Sequence, residues 1–366
     1  MSDLRFVKPI DGDVLFECAD GTEKDGVLYA QVHVQGPANC HIAINYVAAE
    51  ERTAGEYYAT IPLDAYRNSV NAVCEETCDS VTMHIYWFRG GYKTYRIGVD
   101  DVIWCLENIY NHQNEYASIF DDPYLSMYRD LHVQYGSHVH MHIYYQTVDG
   151  KFNLSMFPDK YKDEFKANCH WLRFSFHALA DLPDSPYKQA PYEQVMREGR
   201  MVEREILRFA GPEVMDAVTS QHWADSALPG TRAFRDLGFK VLDAYFIFDS
   251  DGNPKISYYL NAEQAGHAAS RDFWVDNEED IIFVKDDIIL NDDTYTLADI
   301  DAVLNARVNA EDHAFMYLLI HEQYFYPRYE AYEPDYRDRL FRGVQWCEEH
   351  GYRSSWISDF AFDKVT

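Results

Sequence analysis

A change of rhythm at Gly90-Gly91 constrains this chain more than any other feature. Before it, "VLYAQVHVQG", "CHIAINYVAAE", "EYYATIPL", "NSVNAVCEE" and "SVTMHIYWF" are short β-branched or aromatic runs with partial alternation, separated by turn residues such as Gly36-Pro37, Ala54-Gly55 and Asp79. Short strands at this spacing, with no helix between them, predict an antiparallel β-sandwich of immunoglobulin-like type over residues 1–92. After the glycines, strand-like runs alternate with amphipathic ones. "KTYRIGV" is followed by "VIWCLENIY", where Val102, Cys105, Leu106 and Ile109 fall on one helical face. The alternation continues through "HVHMHIYY", "WLRFSF", "VMDAVTS", "KVLDAYFIF", "IIFVKDDIIL" and "AFMYLLIH", each next to a helical stretch. Repeated βα units predict a parallel sheet, and seven or eight strands predict a closed or nearly closed (β/α) barrel over residues 93–366. A chain of 366 residues suits two domains. The first would bind carbohydrate or simply pack on its neighbour.

Composition excludes several functions. With 61 acidic against 32 basic residues the formal charge is -29, which disfavours nucleic acid, anionic membranes and strongly anionic substrates. No run of about 18 apolar residues is present, so no membrane span is expected. "MSDLRFVKPIDGDVLF" lacks a basic stretch followed by an apolar one, which predicts no leader and a cytoplasmic location. Seven scattered cysteines read as reduced thiols, and with Cys74 and Cys78 the only close pair, no structural zinc site is expected. The 29 tyrosines and 7 tryptophans would serve a sugar-binding surface, but a β-rich protein carries them equally well. The oligomeric state is not legible.

Three aspartate doublets are candidates for chemistry. Active sites of (β/α) barrels lie at the C-terminal ends of the strands. Asp100-Asp101 follows "YRIGV" and precedes a helix, so it occupies such an end, although one of the pair could cap that helix. Asp121-Asp122 precedes Pro123, which marks a helix start. Asp286-Asp287 lies within an apolar run and has no histidine nearby in sequence. Other strand ends add His177 with Asp181, His222-Trp223 and His321-Glu322, while "HVHMHIYY" puts His138, His140 and His142 on one strand face. A lone histidine at a strand end is ordinarily a packing residue. Several strand ends of one barrel, however, converge on one mouth, where His and Asp suit a divalent ion, zinc above all.

With "GVDD" (residues 98–101), "HALAD" (177–181) and "LLIHEQYF" (318–325) in this order, residues 93–366 resemble the polysaccharide deacetylase family of metal-dependent carbohydrate esterases. The resemblance implies a distorted (β/α) barrel, a divalent metal and a carbohydrate substrate. It implies Asp100 as general base, Asp101 and His177 as metal ligands, and His321 as general acid. Asp181 stands where the family has a second histidine ligand. The family's arginine motif has no clean counterpart. "TSQHWADS" takes its place, with His222 and Trp223 lining the sugar site. Glu322, Tyr324, Phe325 and His140 complete the expected surroundings of the substrate. Residues 111–121 form an insertion relative to the family. Were they instead an extension, "IFDD" would be the first motif and Asp121-Asp122 the active doublet. The expected reaction is removal of an acyl group, N-acetyl in particular, from an amino sugar or short oligosaccharide. Two alternatives stand beside it: a metal-independent glycoside hydrolase using Asp100 and Glu322, and a non-catalytic carbohydrate-binding protein.

Overall fold

The computed structural model describes residues 4–308 and 313–363. Met1–Asp3, part of the stretch read for a leader, lie outside them. The chain is mixed α/β, with eight α-helices and several sheets among the described residues.

The first ninety residues build two sheets. One runs in the order Arg5–Lys8, Val27–Gln35, Glu56–Leu63, Glu50–Thr53, with Gly21–Lys24 also on Val27–Gln35. The other runs Val14–Leu15, Ser80–Trp87, Arg67–Cys74, Ile42–Ile44, Val47–Ala48. Alternation decides which side faces in. Leu28, Ala30, Val32 and Val34 of one strand, and Val70, Ala72 and Cys74 of another, are buried, while their neighbours are more exposed. The inward faces of both sheets share one apolar core. Each fully buried Val, Leu or Ile there contributes roughly 1.5–3 kcal/mol.

Beyond Gly91 the strands turn parallel. Leu172–Ala178, Val139–Tyr144, Thr94–Val102, Phe315–His321 and Ile288–Ile289 lie side by side, and Arg353–Ser354 pairs with the start of Thr94–Val102. Thr94–Val102 is buried at all nine positions, as a central strand covered on both faces must be. A second sheet holds Val218–Thr219, Val241–Ala244 and Ile281–Lys285 in parallel, with Phe273–Asp276 antiparallel on its outer side. The sheets approach each other at two places. Phe174 and Met215 form an isolated bridge between them. At the other, the chain itself crosses over at Asp286-Asp287: the Asp286 N–H bonds to Ala244 O at 3.1 Å, and the Asp287 N–H to Tyr317 O at 3.2 Å.

Two departures from the sequence reading matter for the site. Thr94–Val102 runs through the doublet instead of stopping at Val99, and the helix begins only at Trp104. The segment between "KVLDAYFIF" and "IIFVKDDIIL" carries a helix, Ala262–Ala269, opened by a capping box in which Asn261 accepts from Gln264 N–H and the Gln264 side chain accepts from Asn261 N–H.

The N-terminal sheets meet the parallel strands through aromatic rings. Phe88 packs edge-on to Phe273 at 5.5 Å, Phe16 lies 5.9 Å from Phe273, and Phe273 lies 4.9 Å from Phe315. Val218, Val241, Phe315 and Phe360 share this cluster with Val14 and Phe16. Val218, Val241 and Phe315 are each the first residue of a parallel strand.

Candidate active site

The site starts from a bend in the central strand. Between Val99 and Val102 the pairing with Val139–Tyr144 slips, and Asp101 takes φ +64°. A non-glycine residue held there costs on the order of 1–3 kcal/mol and persists only where its surroundings fix it. On the other edge the register holds, with Asp100 opposite His321. The bend therefore sends the two carboxylates to different partners. Gly98, two residues earlier, is required by packing, because a Cβ there would meet the Tyr317 hydroxyl at 2.3 Å.

Asp100 is held from both sides. His142 Nδ1 donates to Oδ1 at 2.5 Å and Ser220 Oγ donates to Oδ2 at 2.6 Å. The far nitrogen of His142, Nε2, accepts from Arg96 at 2.7 Å, and the same guanidinium nitrogen reaches His140 Nδ1 at 2.9 Å. Arginine only donates, so the His142 proton must sit on Nδ1, facing Asp100. Burial pushes the Asp100 carboxyl up, but His177 and His142 bring it down to about 2, and it is an anion.

Asp101 faces two imidazoles. Its Oδ1 lies 3.0 Å from His177 Nε2 and 3.4 Å from His222 Nδ1, and those two nitrogens are 3.2 Å apart. The outer nitrogen of each ring faces a carbonyl, which can only accept: His177 Nδ1 donates to Ser220 O at 2.5 Å and His222 Nε2 to Asp181 O at 3.0 Å. In the neutral rings both inner nitrogens therefore turn lone pairs toward the carboxylate, the arrangement that fixes metal-binding histidines. Ligands at about 2.0–2.2 Å from a tetrahedral zinc would stand roughly 3.3–3.6 Å apart. The three atoms, separated by 3.0, 3.2 and 3.4 Å, stand at or slightly inside that spacing, and all three residues are buried. The donor set thus fits a divalent cation. Without one, burial pulls the His177 imidazole down, but Asp100 and Asp101 outweigh it and lift it to about 9. The Tyr144 hydroxyl reaches into the same group, donating to Asp101 Oδ1 at 2.5 Å.

The other predicted residues separate clearly. Asp181 sits at the rim with its side chain 40% exposed, 3.2 Å from the Tyr144 hydroxyl and 3.8 Å from His222 Nε2. The group of three is completed by His222, and Asp181 holds that ring through its backbone. His321 lines the same cleft, with Asn291 Oδ1 accepting from both its backbone N–H at 2.9 Å and its Nδ1 at 3.1 Å. Trp223, 45% exposed, and Tyr324 also line this cleft, whose volume is about 560 Å³. His140 is fully buried against Arg96, below the cleft. Phe325 packs on Tyr124 and Tyr336, away from it.

Glu322 turns the other way. Its Oε2 accepts from the N–H groups of Ile103 at 2.6 Å and Trp104 at 2.7 Å, and Oε1 from Cys105 at 2.7 Å. It satisfies the start of the helix Trp104–Asn111, which has no side-chain cap of its own. Asp101 is thereby free of that duty, and Glu322 does not face Asp100 across a cleft. The second doublet is structural: Asp122 accepts from Tyr124 and Leu125 N–H, both at 3.0 Å, and Asp121 from Ala117 and Ser118 N–H. The third doublet divides. Asp286 lines the cleft, while Asp287 accepts from Tyr317 N–H and faces His313.

Sequence reasoning passed over Tyr144, Ser220, Arg96 and Asn291. Alternation along "HVHMHIYY" does place His142 and Tyr144 on one face with His140, but nothing local tells which end of that row meets the doublet.

No family model matches the chain, and no curated protein matches it. Among solved structures it is similar to a protein of Mycobacterium smegmatis assigned as a polysaccharide deacetylase, with TM-score 0.43 and 8% identity over 74% of this chain and 90% of that one. It is also similar to a protein of Bacteroides fragilis assigned as an alpha-galactosidase, with TM-score 0.27 and 10% identity over 98% of this chain and 81% of that one. Function has to be read from the side chains themselves.

Proposed function

We propose that this protein is a metal-dependent hydrolase that removes an acyl group, N-acetyl in particular, from an amino sugar or short oligosaccharide. The observation that carries the reading is the convergence of Asp101, His177 and His222 on one point, with the Asp100 carboxylate beside them. On this reading the two parallel sheets are arcs of one distorted (β/α) barrel over residues 93–366, and the strand ends form its mouth. Residues 1–92 are then a separate β-sandwich.

Asp101, His177 and His222 would hold the cation. A bound divalent cation of this kind supplies Lewis acidity to a carbonyl and acidifies a water. Asp100, ionised and oriented by His142 and Ser220, takes the proton of the attacking water. His321 donates through Nε2 to the leaving amine, since Nδ1 is occupied by Asn291. A positioned proton donor of this kind contributes ~10²–10⁴-fold. Trp223 and Tyr324 offer ring faces to the sugar. Asp184 and Glu330 at the rim favour a cationic amine product and disfavour anionic sugars.

The test measures bound metal in wild type, Asp101→Asn and His222→Ala, and acetate release from a panel of N-acetyl sugars. Metal near one per chain in wild type, lost in both variants, with acetate release from one substrate, is the expected result. Equal metal in all three proteins, or no release with any divalent ion, refutes it.

A further inference from the structure

A second cluster of ligand atoms lies in the N-terminal sheets, far from the cleft in the chain's order. The strand pairing creates it. Ile42 is opposite Cys74, Ala43 opposite Val73 and Ile44 opposite Ala72. The Glu75 N–H extends the ladder to His41 O at 3.0 Å. Residues two apart share a face. Cys40 therefore lies on the face of Ile42, which is also the face of its partner Cys74: the inner face of this sheet, where Ile42, Ile44, Ala72 and Cys74 are buried. Arg67–Cys74 ends there, and the turn over residues 75–77 folds Glu76 back beside Cys74. Burial falls off along it, from Cys74 through half-buried Cys40 to exposed Glu76.

The three side chains are brought together and held. Cys40 Sγ, Cys74 Sγ and a Glu76 oxygen all lie within 4.8 Å of one another. Cys74 Sγ is 3.7 Å from Glu76 Oε2, against roughly 3.6 Å for a sulfur and an oxygen on one tetrahedral zinc. His41 fixes the carboxylate, donating its backbone N–H to Oε2 at 2.8 Å and its ring Nδ1 to Oε1 at 2.6 Å. The Tyr57 hydroxyl fixes the other side, accepting from Cys40 N–H at 3.0 Å and donating to Pro37 O at 2.6 Å. Cys78, the sequence neighbour of Cys74, turns its thiol to Glu75 O at 3.9 Å instead.

We propose that Cys40, Cys74 and Glu76 form a binding site for a soft divalent cation of the zinc class, independent of the cleft. Two thiolates and one carboxylate suit zinc and leave a fourth position open to water at the solvent edge. Binding releases the two thiol protons to solvent and involves no change of oxidation state. The bound ion would tie the segment before Ile42–Ile44 to the end of Arg67–Cys74, next to the last ladder bond, from Glu75 N–H to His41 O.

Cobalt(II) distinguishes this site from the cleft, because only thiolate ligation gives a sulfur-to-cobalt charge-transfer band in the near ultraviolet. The full-length protein is titrated with cobalt(II) anaerobically, after reduction by a non-thiol phosphine. The band is expected in wild type, in Cys78→Ser and in His177→Ala, and its loss is expected in Cys40→Ser. Glu76→Gln, on an exposed side chain that leaves the core untouched, is expected to keep the band and raise half-saturation at least about tenfold. No band in wild type, a band that survives Cys40→Ser, unchanged half-saturation in Glu76→Gln, or a Cys40–Cys74 disulfide that resists the phosphine overturns the site.

Discussion

Replacing Glu322 by glutamine removes one oxygen from a buried carboxylate that three backbone N–H groups share. The change is nearly isosteric, so packing is preserved and the electrostatics are isolated. The glutamine oxygen can serve either the Cys105 N–H alone or the pair from Ile103 and Trp104. In both cases the new NH₂ group faces at least one donor. A buried donor left without an acceptor costs about 1–3 kcal/mol, and charge-assisted bonds lie at the upper end. One or two such losses give a destabilisation of roughly 2–5 kcal/mol. With a urea dependence near 3 kcal/mol/M for a chain of this size, the midpoint falls by about 1 M. Urea unfolding followed by far-ultraviolet circular dichroism measures it. A fall of less than about 0.3 M, equivalent to ~1 kcal/mol, refutes the claim that this carboxylate anchors the helix after the doublet. In the same variant bound metal should also drop, because Asp101 lies two residues before Ile103.

Asp100→Asn should lower kcat by ~10²–10⁴-fold while leaving metal content intact; an equal loss of metal would merge its role with that of Asp101. Asp122→Ala should cost about 0.5–2 kcal/mol by uncapping Pro123–Tyr135, with no change in KM or kcat, and a catalytic defect without a stability loss would return that doublet to the site. His313 lies between Asp272 at 2.8 Å and Asp287 at 3.3 Å. Burial pulls its imidazole down, but the two carboxylates outweigh this and raise it to about 10. Its stabilisation is therefore full below about pH 6.5 and disappears as pH rises toward 10. Denaturation midpoints across pH 6–10 should fall in wild type and stay flatter in His313→Gln.

How much of this was legible in sequence depends on the range of the forces involved. The strand-to-helix change of rhythm at Gly90-Gly91 is a local signal, and the sheets change character there. The capping roles of Asp121-Asp122 are also local, because an aspartate before proline satisfies N–H groups within three residues. Asp100, Asp101, His177, His222 and His321 stand at strand ends, and the strand-end rule singled them out. Which of them face each other was not legible. His222 rather than Asp181 completes the group with Asp101 and His177, because Trp223 and Ala224 take φ +70° and +43° and turn the chain right after the histidine. Glu322 looked like a cleft residue from its neighbour His321. The bend at Asp101 displaces the helix start, and Glu322 fills the gap it leaves. The Asn261–Gln264 capping box was readable in principle but had no long apolar periodicity behind it. The Cys40–Cys74 approach depends on strand register, which no spacing of cysteines announces.

The aromatic seam under the strands sets an order of assembly. Phe16 and Phe88 belong to the earliest part of the chain, and their ring partners Phe273 and Phe360, on both of which Phe315 packs, follow 185 or more positions later along the sequence. Until those residues arrive, the early sheets carry an uncovered aromatic face, the kind of surface that invites aggregation and chaperone capture. Cutting the chain at Gly91 would make that transient exposure permanent on both fragments. The two halves should then be rescued by co-expression better than by refolding either one alone.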